Sequence, residues 1–149
     1  MQIDYQHVPY ASEHYWQSLA LREQVLRKPL GMHTRPEDTA HDAEQLHVVA
    51  IHNKQVIATI SMVLVDTQQI KLRQMAVHPD YSGKGIGAAL VNHAHAHAAS
   101  TKHTHITLNA RDTAIGFYEK LGYQCIGEPF EEIGIIHQRM DITLGSQAR

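Results

Sequence analysis

The stretch Leu72-Arg-Gln-Met-Ala-Val-His-Pro-Asp-Tyr-Ser-Gly-Lys-Gly-Ile-Gly-Ala-Ala-Leu90 runs an apolar strand through a turn into three alternating glycines and then a helix. Glycines at 83, 85 and 87 put no Cβ between the main chain and a ligand. A helix starting there presents unpaired N–H groups and the positive end of its dipole, so the segment reads as a phosphate-holding turn. Two other glycine motifs fit poorly. The Walker pattern needs four residues between its glycines and then Lys and Ser or Thr, whereas Gly85 to Ala88 are followed by Ala89 and Leu90. The dinucleotide fingerprint starts at the strand end and is answered by an acid about 20 residues on. Here residues 78–82 separate Val77 from Gly83, and the next strand, Thr104 to Asn109, ends without a carboxylate.

Outward from this segment, the pattern predicts an α/β (α+β) domain over residues 1–149. Ile3 to Val8 alternates as a strand, and Ser12 with Glu13 opens a helix expected to run to about Arg27, where Lys28-Pro-Leu-Gly31 breaks it. Residues 31–45 are polar and read as a loop with a helical turn. Leu46 to Ile51 and Val56 to Val65 are apolar, β-branched runs joined at Asn53-Lys54, which predicts a hairpin, and Gln69 to Val77 adds a fourth strand. Ile86 to Ala99 is a helix, His105 to Asn109 a strand, and Thr113 to Leu121 a short helix that Gly122 ends from its C′ position. Tyr123 to Gly127 and Ile133 to Leu144 read as the last two strands, with a frayed tail at about 145–149.

With 149 residues the chain can bury a core without disulfide or metal staples. A formal charge of -2 and the lack of any Lys/Arg block give no general attraction to nucleic acid or acidic membranes. A single cysteine, Cys125, read as a small buried strand residue, and the lack of an N-terminal apolar run point to a cytoplasmic setting. Small-molecule partners are expected.

A second motif, Ala114-Ile-Gly-Phe-Tyr-Glu-Lys-Leu-Gly-Tyr123, places Tyr118 on the short helix. Together the two segments resemble the GCN5-related N-acetyltransferase family. The resemblance implies a central mixed, mostly antiparallel twisted sheet of about seven strands flanked by about four helices, and acetyl-CoA as co-substrate. It assigns Ser82, Gly83, Lys84, Gly85, Ile86, Gly87 and Ala88 to the coenzyme's pyrophosphate, Met75, Ala76 and Val77 to its pantetheine arm, and Asn109, Phe117 and Tyr118 to its remaining contacts. Tyr118 would meet the thioester sulfur. Ser82 replaces the Arg or Gln that usually precedes the first glycine, a contact carried mostly by main-chain donors. A homodimer is expected by the same analogy.

Leu21-Arg22-x-x-Val25-Leu26-Arg27-x-Pro29-Leu30, Leu108-Asn-Ala-Arg111 and Gly127-Glu-Pro-Phe-Glu-Glu-Ile-Gly-Ile-Ile-His137 resemble the small single-domain branch containing glyphosate-type N-acetyltransferases and ElaA-like proteins. That closer resemblance implies that Arg22, Arg73 and Arg111 bind an anionic substrate and that His137 is the base. The residue pattern adds support. Arg22 lies on the apolar stripe of Tyr15, Leu19 and Leu26; Arg73 alternates with Met75 and Val77, and His137 with Ile133 and Ile135. Guanidinium groups facing inward require anions, and planar forks suit carboxylate or phosphonate oxygens. The alternative is that each arginine pairs with an acid at 37, 38, 42 or 44 to hold the fold together.

The resemblance implies direct acetyl transfer to a small acidic amine, with His137 as base, Tyr118 as acid and an N–H of the fourth strand near Met75 to Val77 meeting the oxyanion. The alternatives are acetylation of a protein N-terminus or lysine, and a non-catalytic acyl-CoA-binding module. His93 and His97 have chelating spacing, but Ala94 stands where a zinc protease helix carries Glu, so a solvated face and no metal are expected.

Overall fold

The computed structural model describes residues 1–144; the tail expected to fray lies outside the described residues. Seven strands form one sheet in the order β1-β2-β3-β4-β5-β7-β6. The strands are β1 (Asp4–Val8), β2 (Leu46–His52), β3 (Gln55–Leu64), β4 (Gln69–Val77), β5 (His105–Arg111), β6 (Gln124–Glu132) and β7 (Ile135–Thr143). The helices are α1 (Glu13–Arg22), α2 (Pro36–Thr39), α3 (Ile86–Ser100) and α4 (Ile115–Lys120). Pairing is antiparallel for β1–β2, β2–β3, β5–β7 and β6–β7, and parallel for β4–β5 over Gln69–Leu72. The mixed sheet and helix set match the expected architecture. No helix among the described residues is long and apolar enough to cross a membrane.

The chain divides into two compact units. The first comprises Met1–Val63 and Gln74–Ala94. Its central strands are buried almost end to end, from His47 to Ala50 and from Val56 to Met62, as expected of strands covered on both faces. One apolar cluster joins Val8, Leu21, Val49, Val56 and Ala76, with Val25, Leu26 and Ile51 packed against it. The β2–β3 turn is the predicted Asn53-Lys54 pair, with φ of 50° and 65°, the type I′ signature.

The first helix departs from expectation. After Arg22 the chain widens into a π turn, Glu23–Arg27, and then a 3₁₀ turn, Lys28–Leu30, ending at Gly31 with φ of 72°. Polar anchors accompany the change: Glu23 accepts the Thr34 N–H at 2.8 Å, and Arg27 reaches Asp38 with Nε at 2.9 Å and Nη2 at 2.8 Å. Tertiary pairing thus overrides the 3.6-residue period.

The second unit comprises Leu64–Arg73 and His95–Arg149. Register puts Ile70 and Leu72 beside Ile106 and Leu108, and these beside Ile142 and Met140, on one apolar face. Helix α4 ends in a Schellman motif: Tyr123 N–H donates to the Tyr118 carbonyl at 3.1 Å and Gly122 N–H to Glu119 at 3.0 Å. Gly122 has φ of 99°, and a Cβ there would approach Ile142 Cδ1 to 3.0 Å, so the predicted C′ glycine is required twice over. Strand β6 extends beyond Gly127, through a register shift between Ile126 and Phe130, and reaches β7 by a turn at Ile133 and Gly134. Ile133 therefore belongs to the turn rather than to the strand face of His137. Cys125 is exposed, contrary to expectation, because β6 is the edge strand of the sheet.

Candidate active site

In the first unit the glycine turn connects β4 to α3. A 3₁₀ turn at Pro79–Tyr81 precedes it, and the Ser82 hydroxyl donates to the Pro79 carbonyl at 3.0 Å. Gly83 and Gly85 take φ of 74° and 81°, and a Cβ on either would meet nothing within 4 Å. Open space over two left-handed glycines, followed by the first-turn N–H groups of Ile86, Gly87 and Ala88 in α3, fits a diphosphate. Ser82 and Lys84 are exposed and Ile86 is buried, anchoring the helix start. Ala76 is buried and Met75 and Val77 are half-buried. Gln74 just before them has φ of 54°, a left-handed backbone inside β4. The strand alternation counted from Arg73 to Met75 and Val77 is therefore interrupted.

Arg22 is buried and its Nη1 donates to Asp42 Oδ2 at 2.8 Å, while Nη2 donates to the Asp38 carbonyl at 3.0 Å. This is the carboxylate pairing that stood as the alternative for the arginines. Tyr15 donates to the same Asp42 oxygen, and His47 bridges the Asp42 carbonyl at 2.8 Å and the Ser61 hydroxyl at 2.9 Å. Burial, reinforced by the Asp42 carboxylate, pushes the Tyr15 phenol far above its ordinary range, so it stays a donor. Among the described residues, Arg22 Nε and Asp42 Oδ1 are buried without a hydrogen-bond partner. Beside Arg22, Asp38 receives Arg27, Arg35 Nη2 at 2.9 Å and the Arg35 backbone N–H at 2.9 Å. Burial would raise the Asp38 carboxyl, but these donors outweigh it and hold the group well below the usual carboxylate range.

In the second unit, Arg111 lies directly opposite His137, and His137 opposite Phe130, so the three share a sheet face. The same face carries Arg73 and Lys71 from β4 and Asn109 paired with Arg139. Burial, together with the charges of Arg73 and Arg139, lowers the Lys71 ammonium, with Glu132 opposing them. His137 is buried and stacks on Phe130 with ring centroids 5.7 Å apart. Its Nδ1 lies 2.9 Å from the Ile135 carbonyl, which can only accept, so in the neutral ring Nδ1 is the protonated nitrogen and Nε2 the one with the lone pair.

Tyr118 is buried on α4, edge-on to Phe117 at 4.9 Å and to Tyr123 at 5.7 Å. Burial pushes its phenol up to about 12. Tyr123 is tied to His95 of α3 by a 2.6 Å hydrogen bond, a support that no sequence motif signalled. Burial lowers the His95 imidazolium's pKa, which favours the neutral ring. Of the histidines with chelating spacing, His93 is exposed and stacks on Tyr5 at 4.6 Å. The structure thus brings Arg73, Arg111 and His137 to one face of one unit, while Arg22 and the glycine turn belong to the other. Sequence reasoning missed Gln74, whose left-handed backbone has no sequence signal; it named Asp38 only as a possible partner of Arg22, Arg73 or Arg111 and missed its pairing with Arg27 and Arg35. With Arg35 as N-cap and Pro36 first in the helix, Asp38 is the third helical residue, where an acid reaches back to the N-cap N–H.

Comparison with known proteins adds three kinds of finding. Residues 21–144 match the acetyltransferase (GNAT) domain family. The N-acetyltransferase YitI of Bacillus subtilis, itself uncharacterized, is 26% identical over 121 residues, 77% of this chain and 81% of that one. Escherichia coli ElaA superposes with a TM-score of 0.80 at 18% identity, over 94% of this chain and 99% of its own. A GNAT family acetyltransferase from Elizabethkingia anophelis, solved with acetyl-CoA bound, superposes with a TM-score of 0.74 at 15% identity, over 95% of this chain and 98% of its own. With the glycine turn, the mixed sheet and the family match over most of its length, the chain belongs to the GCN5-related N-acetyltransferase family and is an acyltransferase.

Proposed function

We propose that the chain transfers the acetyl group of acetyl-CoA directly to the amine of a small acidic molecule bearing a carboxylate, phosphonate or phosphate. The observation that carries this reading is the sheet face on which Arg73, Arg111 and His137 stand together with Lys71 and Arg139. Fixed cations on one face favour an anion and disfavour a lysine-bearing peptide. His137 Nε2, the lone-pair nitrogen of the neutral tautomer that the Nδ1 bond to Ile135 favours, takes the proton of the attacking amine. Tyr118, held protonated by burial, gives its proton to the departing thiolate. The N–H groups of residues 83–88 hold the diphosphate, and an N–H of the Met75–Val77 segment meets the oxyanion.

The test is CoA release with a panel of acidic amino acids, aminophosphonates, neutral amino acids and lysine peptides. Acidic amines should have the highest kcat/KM, and Arg111→Ala should lower it for them by about 10–100-fold, the worth of a charge-assisted hydrogen bond, while sparing neutral amines. A preference for peptides or neutral amines contradicts the reading.

A further inference from the structure

Within the second unit, α4 is too short to set the orientation of its own side chains. It has six residues, fewer than two turns, and its N-cap, Ala114, makes no side-chain hydrogen bond. The orientation of the Tyr118 ring must therefore come from tertiary contacts. Tyr123 makes three that bear on it. Its N–H donates to the Tyr118 carbonyl at 3.1 Å, its ring lies edge-on to the Tyr118 ring with centroids 5.7 Å apart, and its hydroxyl meets His95 Nε2 at 2.6 Å.

The direction of that last bond follows from burial. Tyr123 is 2% exposed, and His95 is the one hydrogen-bond partner its hydroxyl has among the described residues. Were His95 the donor, the phenol proton would be buried without an acceptor, which folded proteins avoid. Tyr123 is therefore the donor and Nε2 the acceptor, and in the neutral imidazole the ring proton sits on Nδ1. Burial favours both assignments: it lowers the His95 imidazolium and, with the adjacent Tyr118, pushes the Tyr123 phenol far above its ordinary range.

We propose that His95 is a positioning residue for acetyl transfer: by accepting the Tyr123 hydroxyl it fixes Tyr123 between α3 and α4, and Tyr123 in turn holds the Tyr118 hydroxyl toward the departing thiolate. His95 acts through these two rings and not on a reacting atom. This inference rests on the reading of Tyr118 as the acid.

The test measures CoA release from acetyl-CoA with L-glutamate, with aminomethylphosphonate and, without any amine, to water, together with the Kd for acetyl-CoA and the Tm. Tyr123→Phe removes one hydroxyl and keeps the ring, and His95→Leu removes the acceptor; Tyr123→Phe alone decides should His95→Leu not fold. Each should lower kcat by about five- to tenfold, as expected of one lost hydrogen bond, with the Kd within about twofold and the Tm within about 5 °C of wild type. His95→Gln, whose Oε1 accepts a phenol proton, should recover most of the kcat lost in His95→Leu. In a Tyr118→Phe background the same substitutions should cost nothing further, since no acid is left to position. NMR of the ring nitrogens at pH 8 should show His95 protonated at Nδ1 and bare at Nε2.

Tyr118→Phe that lowers kcat while Tyr123→Phe matches wild type overturns the inference and leaves the acid standing. Losses that add in full to that of Tyr118→Phe, or that His95→Gln does not recover, assign the pair to the fold and also overturn it, as does a proton on Nε2. Tyr118→Phe as fast as wild type, or a wild type that releases no CoA under any of the three conditions, overturns the acid reading and the inference with it.

Discussion

The Ile135 carbonyl selects the tautomer of the neutral His137 ring, and the base role proposed for Nε2 builds on that one hydrogen bond. His137→Gln should lower kcat/KM for the acceptor by about 100-fold near neutral pH, within the usual reach of a positioned base. The deficit should shrink as pH rises and more of the acceptor becomes free amine, which a pH profile of kcat/KM measures. Tyr118 answers to the opposite demand. Because burial raises its phenol to about 12, the acid form persists well past the ordinary tyrosine range. The Tyr118-dependent part of kcat should therefore stay level through about pH 10, the unperturbed value, and Tyr118→Phe should lower kcat while leaving the Kd for acetyl-CoA within about twofold. Asp38 makes a stability prediction. Its folded-state pKa is depressed, so its contribution is full above the unfolded value of about 4 and is lost as pH falls below it. Asp38→Asn should cost about 3 kcal/mol at pH 7, since it leaves Arg27 buried without its partner, and the gap to wild type should narrow in unfolding measurements below about pH 4.

At the scale of elements, α4 is fixed by its end. The Schellman bonds connect Tyr118 to Tyr123, and His95 holds Tyr123 from α3, so the Tyr118 ring is braced through Tyr123. Gly122→Ala combines a left-handed backbone with a Cβ contact at 3.0 Å, and should destabilise the fold by about 1–2 kcal/mol in thermal unfolding, more if Ile142 cannot move. This part of the fold was legible in the sequence, because Leu-Gly-Tyr after a short helical run is a local stop signal, just as Asn53-Lys54 is a local turn signal. Elements whose shape is set by distant partners were not legible. The π turn after Arg22 is accompanied by Asp38 and Thr34 contacts eleven residues downstream, and the left-handed backbone of Gln74 interrupts a strand whose pattern reads as regular. Arg22 shows the limit most clearly. Its inward position was readable from the helical stripe, but whether the anion it meets comes from the chain or from a ligand depends on the placement of Asp42, which periodicity does not encode.

For the whole molecule, the two units divide the chemistry. The first carries the glycine turn, the strained Gln74 and the Arg22–Asp42 network; the second carries Tyr118, His137 and the cationic sheet face. Sequence motifs located the glycine turn and Tyr118 because each rests on a short, local segment, while the division into units depends on pairings such as β5 with β7, which lie far apart along the chain. The acyltransferase reading depends above all on the main-chain donors of residues 83–88. Amide NMR during titration with CoA tests this most directly. The largest saturable shifts should fall on the N–H groups of Gly83 to Ala88, and Gly85→Val should weaken the Kd by at least about tenfold, as expected when a Cβ is forced onto a left-handed turn at the ligand. Saturable CoA binding that leaves those amides unmoved, or no binding at all, would contradict the account.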